Sequence, residues 1–186
     1  MGKKIMNWGI SGAVALLLLL NACSDTRLAT SEAFIDAFYA FDQYQLEPFL
    51  ANAPESFPVI IYYQGWAEGG NYKVLDRRPC VFTAADTVEC SITVEDDPIL
   101  ALGIDFKVTD TFTITFNNSE IAAIETSSDD PDIYFIARDW VRENRAELIA
   151  TPCEGFFNGG PTPGDCARAM ASGYAEFAAS DDFSAQ

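Results

Sequence analysis

Phe106-Lys107-Val108-Thr109-Asp110-Thr111-Phe112-Thr113-Ile114-Thr115-Phe116 alternates without interruption. Phe106, Val108, Phe112, Ile114 and Phe116 fall on one side of an extended chain, and Lys107 and four threonines fall on the other. Side chains of a strand point to opposite faces in turn, so this run reads as a strand with one buried face. One residue breaks the pattern: Asp110 stands at an apolar-face position. Asn117-Asn118-Ser119 reads as a turn, and Ile121 to Thr126 as the returning strand. Upstream, Cys80-Val81-Phe82-Thr83 and the stretch Val88 to Glu95 flank Ala84-Ala85-Asp86, a three-residue turn. In that register Cys80 faces Cys90, and Phe82 faces Val88.

The segments on either side change period. Ser31 has the chemistry of a helix N-cap, and Glu32 stands in the first turn, where an acid suits the helix dipole. Phe34, Ile35, Phe38 and Phe41 follow at helical spacing. A short helix is expected over 46–52. Another is expected over 59–67, opened by Pro58 and closed by Gly69-Gly70. After Asp129-Asp130-Pro131 a helix is expected over 133–150. Ile133, Ile136, Trp140 and Val141 would turn inward, and Arg138, Arg142 and Arg145 outward or toward a pocket rim. A last helix is expected over 166–179, with Met170, Tyr174 and Phe177 as its apolar side. Helices, then antiparallel strands, then helices make an α+β fold.

The N-terminus has a separate logic. Lys3 and Lys4 precede an apolar run of about 11 residues, too short for the roughly 20 that span a bilayer. The run closes on Leu20-Asn21-Ala22-Cys23, which resembles the lipobox of bacterial lipoproteins. That resemblance implies a signal peptide over 1–22, cleavage before Cys23, and acylation of its thiol. The protein would then be held in the cell envelope by lipid on Cys23. Two or three acyl chains make a stable anchor. Ser24 after the cysteine implies export to the outer membrane, facing the periplasm. Residues 23–30 would be a lipidated tether, 31–150 the main domain, and 151–186 an added segment.

The whole chain of 186 residues carries a formal charge of -17. The leader would remove two lysines and no acid, leaving -19. Such a chain does not bind nucleic acid by simple attraction. Besides Cys23 there are Cys80, Cys90, Cys153 and Cys166. An even number in an oxidising compartment implies two disulfides, for which three connectivities exist. The surrounding sequence favours the local pairs Cys80–Cys90 and Cys153–Cys166. Between the second pair the chain is rich in Gly and Pro and carries Phe156-Phe157.

The order of elements resembles the nuclear-transport-factor-2-like (polyketide-cyclase SnoaL-like) superfamily. The parts that resemble it are Ser31-Glu32-Ala33-Phe34-Ile35-Asp36-Ala37-Phe38, the aromatic third helix, and the hairpin Thr109 to Ile121. The resemblance implies helices packed in the concave face of a curved antiparallel sheet, a cone. The segment from Cys153 onward is an addition to that pattern. Catalytic members often use a histidine–carboxylate pair, and this chain has no histidine.

Two groups of residues bear on function. Asp110, at an apolar-face position, either finds partners or protonates. It is the candidate general base if the chain is an enzyme, with Arg138 and Arg142 as candidate charge partners. Tyr39, Tyr62, Tyr63 and Trp66 are candidates to line a cavity together with Asp110 and Arg138, or to serve as core. Zinc sites that use histidine are excluded. The acids Asp96, Asp97, Asp129, Asp130 and Asp132 lack the spacing of a calcium loop. No metal or cofactor is expected. Three readings follow: a module binding a small apolar or amphipathic ligand, an envelope interaction protein that pairs with a partner or a second copy through the sheet, and a histidine-free isomerase or dehydratase.

Overall fold

The computed structural model describes residues 25–154 and 163–184. Cys23, the expected lipobox and signal peptide, and Phe156-Phe157 lie outside them.

Helix α1 spans Thr26–Tyr39 and starts earlier than the Ser31 cap implies. Asp25 caps it by accepting from the Arg27 amide at 3.0 Å. The Arg27 guanidinium also donates to the Ala85 carbonyl at 2.6 Å, which pins this first turn to a distant hairpin. Ser31 is buried inside the helix, so the expected tether over 23–30 is largely helical. Helix α2, Gln43–Leu46, runs into a 3-10 turn, Glu47–Leu50. The helix expected over 46–52 does not form as such: the α-helix starts earlier, at Gln43, and cannot run on through Pro48, which has no amide to give the fourth residue back. Helix α3 spans Phe57–Gly69. It ends as the Tyr72 amide returns to the Ala67 carbonyl at 3.0 Å. The left-handed position is taken by Asn71 (φ 55°), not by the glycines before it. Asn tolerates that conformation better than most residues do.

Strand β1, Lys73–Arg77, is followed by β2, Val81–Ala84, and β3, Thr87–Glu95. Helix α4, Asp97–Ala101, precedes β4, Val108–Asn117, and β5, Glu120–Ser128. All pairings are antiparallel, in the order β1-β3-β4-β5, with β2 also on β3. Since β4 takes one edge of β3, β1 and β2 share its other edge. Phe82 faces Val88 as the alternation required, but Ala84 pairs Thr87, so the turn between β2 and β3 is shorter than expected.

Helix α5 spans Asp132–Asn144, and α6 spans Ala146–Ile149. The single helix expected over 133–150 is broken at Arg145, whose backbone leaves the helical region (φ -135°, ψ 37°). Ile136 is exposed, and Ala137 takes the inward position beside Val141. Helix α7, Pro163–Ala178, and the short α8, Asp181–Ser184, complete the chain. Among the described residues no helix is long and apolar enough to cross a membrane.

The architecture is α+β: a curved five-stranded antiparallel sheet with helices packed against it and a stapled C-terminal helix. Two buried clusters result. Phe34, Ile35 and Phe38 of α1 meet Ile92 and Val94 of β3 and Phe112 and Ile114 of β4. Trp66, Ala137, Val141, Met170, Tyr174 and Phe177 form the second, around α7. Close backbone approach joins them: a Cβ on Gly69 would lie 2.2 Å from the Gly164 Cα. Both disulfides are local, Cys80–Cys90 and Cys153–Cys166.

Candidate functional site

The alternation that makes β4 a strand carries Asp110 into the interior, where it is 0% exposed. Its partners come from the helices above the sheet. The Tyr39 hydroxyl of α1 donates to Oδ2 at 2.7 Å, and the Tyr63 hydroxyl of α3 donates to Oδ1 at 2.5 Å. The space around them is filled by rings: Phe38 lies 5.3 Å from Tyr63 and 4.9 Å from Phe112, centroid to centroid. Burial pushes the Asp110 carboxyl up from 3.8 to about 6. The two tyrosine bonds hold it down, and Asp130 and Asp129 raise it further. The same burial, with the carboxylate beside them, raises both phenols.

Arg138 is not the partner of Asp110 that the sequence suggested. It is paired with Asp139 at 3.1 Å and lies over the Phe135 ring, on the outer side of α5. Arg142 also reaches Asp139. A guanidinium near solvent keeps its hydration, which burial beside Asp110 would strip away. The tyrosine hydroxyls satisfy the buried carboxylate without bringing a second charge out of water.

Two further acids sit near the open end of the sheet. Asp96 is buried and caps α4, accepting from the Ile99 amide at 2.8 Å. Burial is the first cause that lifts its carboxyl to about 7, with repulsion from Asp130, Asp110 and Asp97 added. Asp130 is raised by burial and by Asp129, against a bond from the Ser128 hydroxyl. Asp129 accepts from the Thr109 amide at 2.5 Å. No arginine or lysine among the described residues makes an ion pair with Asp96, Asp110 or Asp130. No group of three candidate metal ligands converges among those residues.

At this end lies a pocket of about 200 Å³. It is lined by Tyr63 and Trp66 of α3, Tyr72, Thr126 to Ser128 of β5, Asp130, and Tyr134 of α5. Tyr63, Tyr72 and Tyr134 pack against both buried clusters, so the pocket sits on the seam between sheet layer and C-terminal layer. Of the residues expected to line a cavity, Tyr63 and Trp66 do so here. Tyr39 and Asp110 are buried behind it, and Tyr62 and Arg138 lie outside its lining. The sequence reading missed Tyr72 and Tyr134. The signal available for them was an aromatic residue beside each element boundary, after Gly69-Gly70 and after Asp129-Asp130-Pro131.

Compared with protein-family models, curated proteins and solved structures, the chain matches none of them significantly.

Proposed function

We propose that the chain is a lipid-anchored protein of the bacterial envelope, held through Cys23, whose domain binds a small ligand without transforming it. The pocket between Trp66, Tyr72, Asp130 and Tyr134 carries this reading. It is concave, aromatic in part, and provided with a few polar groups, as ligand sites are. Its volume is below the roughly 300–1,000 Å³ of drug-sized sites, which favours a small molecule. The lipobox ending in Cys23 and two local disulfides support an exported, anchored protein. A catalytic role for Asp110 has less support, since both of its oxygens already accept tyrosine hydroxyls.

A partner-docking role is the second reading. It is favoured by Val74, Leu75, Val81 and Phe82, all exposed on the divided edge of the sheet.

Native mass spectrometry of the full chain, purified in detergent, tests both readings. Extra mass that leaves on denaturation supports ligand binding. A bare monomer argues against it, and a clean dimer moves support to docking.

A further inference from the structure

We infer that the pocket lined by Tyr63, Trp66, Tyr72, Asp130 and Tyr134 takes a small organic cation of the ammonium class. This rests on the ligand-binding reading above and names the chemistry of the occupant.

The lining supplies two complementary attractions. Tyr63, Trp66, Tyr72 and Tyr134 bring four aromatic rings to one small space, and the faces of such rings attract cations. Asp130 adds a carboxylate in the lining itself, with Asp96 and Asp110 buried near enough for their charges to be felt mutually. The acids are not balanced from within. The lysines and arginines that pair do so elsewhere, for example Arg77 with Glu32 at 2.6 Å and Lys107 with Glu95 at 2.8 Å. Arg138 acts on Tyr134 through space but spends its hydrogen bond on Asp139.

Tyr72 is half-buried and lines the pocket, and a phenol there can donate to or accept from a ligand. Ser127 and Ser128 also belong to the wall.

A bare metal ion fits less well. Hard divalent cations want six or more oxygens, and no three acidic side chains converge here among the described residues. An organic cation is weakly hydrated, needs no closed oxygen shell, and gains from aromatic surface. The pocket volume admits a small head group of this kind and little more.

The test is calorimetric titration of the full chain in a nonionic detergent. Choline chloride is compared with its neutral carbon isostere, 3,3-dimethylbutan-1-ol. Choline is expected to saturate one site and to bind at least about tenfold more tightly than the isostere. Asp130→Asn is expected to weaken choline by about tenfold and to leave the isostere unchanged. Equal binding of the two probes, or preference for the isostere, overturns the cation inference and leaves ligand binding standing. If neither probe binds and the native ion is bare, both readings fall. The isostere comparison uses unaltered protein, so it decides the matter even where the Asn variant does not fold.

Discussion

The Tyr63 hydroxyl donates to Oδ1 of Asp110 at 2.5 Å, tying helix α3 to the inner strand β4 near its start. Tyr39 does the same from α1 through Oδ2. The three side chains form one buried polar unit in a layer of phenylalanines, and the unit fixes where both helices sit on the sheet. Removing one member leaves another buried and unsatisfied. Tyr63→Phe is therefore expected to cost about 1–3 kcal/mol of unfolding free energy. Asp110→Leu, which strands two hydroxyls, is expected to cost more. Urea unfolding followed by circular dichroism measures both, and a Tyr63→Phe variant as stable as the parent would contradict this account.

Asp96 gives a prediction about pH. Its folded value, about 7, lies above the 3.8 of the free side chain. Between those values the folded state binds the proton better than the unfolded state does. Stability from this group is thus greatest at low pH and is lost as pH rises from about 4 to about 7. Asp110, raised to about 6, acts in the same direction over a narrower range. Asp96→Asn keeps a good N-cap for α4 but cannot ionise. Its melting temperature is expected to fall less than the parent's between pH 4.5 and pH 8. Thermal scans across that range decide it, and parallel curves for the two proteins would refute it.

Helix α7 lies so close to its neighbours that Gly65, Gly69 and Gly173 have no room for a methyl group. A Cβ at Gly69 would meet the Gly164 backbone at 2.2 Å, and one at Gly173 would meet the Val141 Cγ2 at 2.6 Å. Gly69→Ala faces backbone, which yields less readily than a side chain. Its expected cost is about 1–3 kcal/mol, the usual range for overpacking. Gly173→Ala is expected to cost less, because Val141 is a side chain. The order of the two midpoints in a denaturant series is the quantity to read.

The Cys153–Cys166 bridge closes a loop rich in Gly and Pro, its ends 13 positions apart in the chain. Cross-linking such a loop restrains the unfolded chain by roughly 3 kcal/mol. Replacing both cysteines with serine is expected to lower stability by about that amount. Because α7 forms one wall of the second cluster, choline binding should weaken along with it. Comparing the double variant with the parent, each with and without choline, tests the link.

The proposed lipid anchor is tested apart from the domain. Cys23→Ser is expected to abolish membrane attachment and to leave the circular dichroism spectrum of the domain unaltered. Fractionation of cells carrying each form gives the answer. A variant that still sediments with membranes would remove lipid at Cys23 as the anchor.

Much of the frame was legible in the chain before any coordinates. The alternation from Val108 to Phe116 assigned β4 and its buried face, and it also placed Asp110 inward. The local cysteine pairs followed from hairpin register and loop composition, and both are formed. Periodicity succeeds at such places because backbone geometry alone decides which side of the sheet a residue faces. Helix boundaries were less legible. Asp25 caps α1 locally, but its first turn is also pinned by Arg27 reaching Ala85, a contact across 58 positions that local propensity does not contain.

What the sequence determined by itself is therefore the strand pattern, the α+β class and the inward position of Asp110. Only the tertiary structure decided who meets Asp110 and where the pocket opens. The sequence offered an arginine, and the fold supplied two tyrosines, because α1 and α3 cross the sheet there while α5 turns Arg138 outward to Asp139. The pocket draws on α3, β5, α5 and the segments beside them. Its members come together only when α3, β5 and α5 pack against one another. Which side chains meet across such distances depends on how elements pack, and a one-dimensional period carries no record of that.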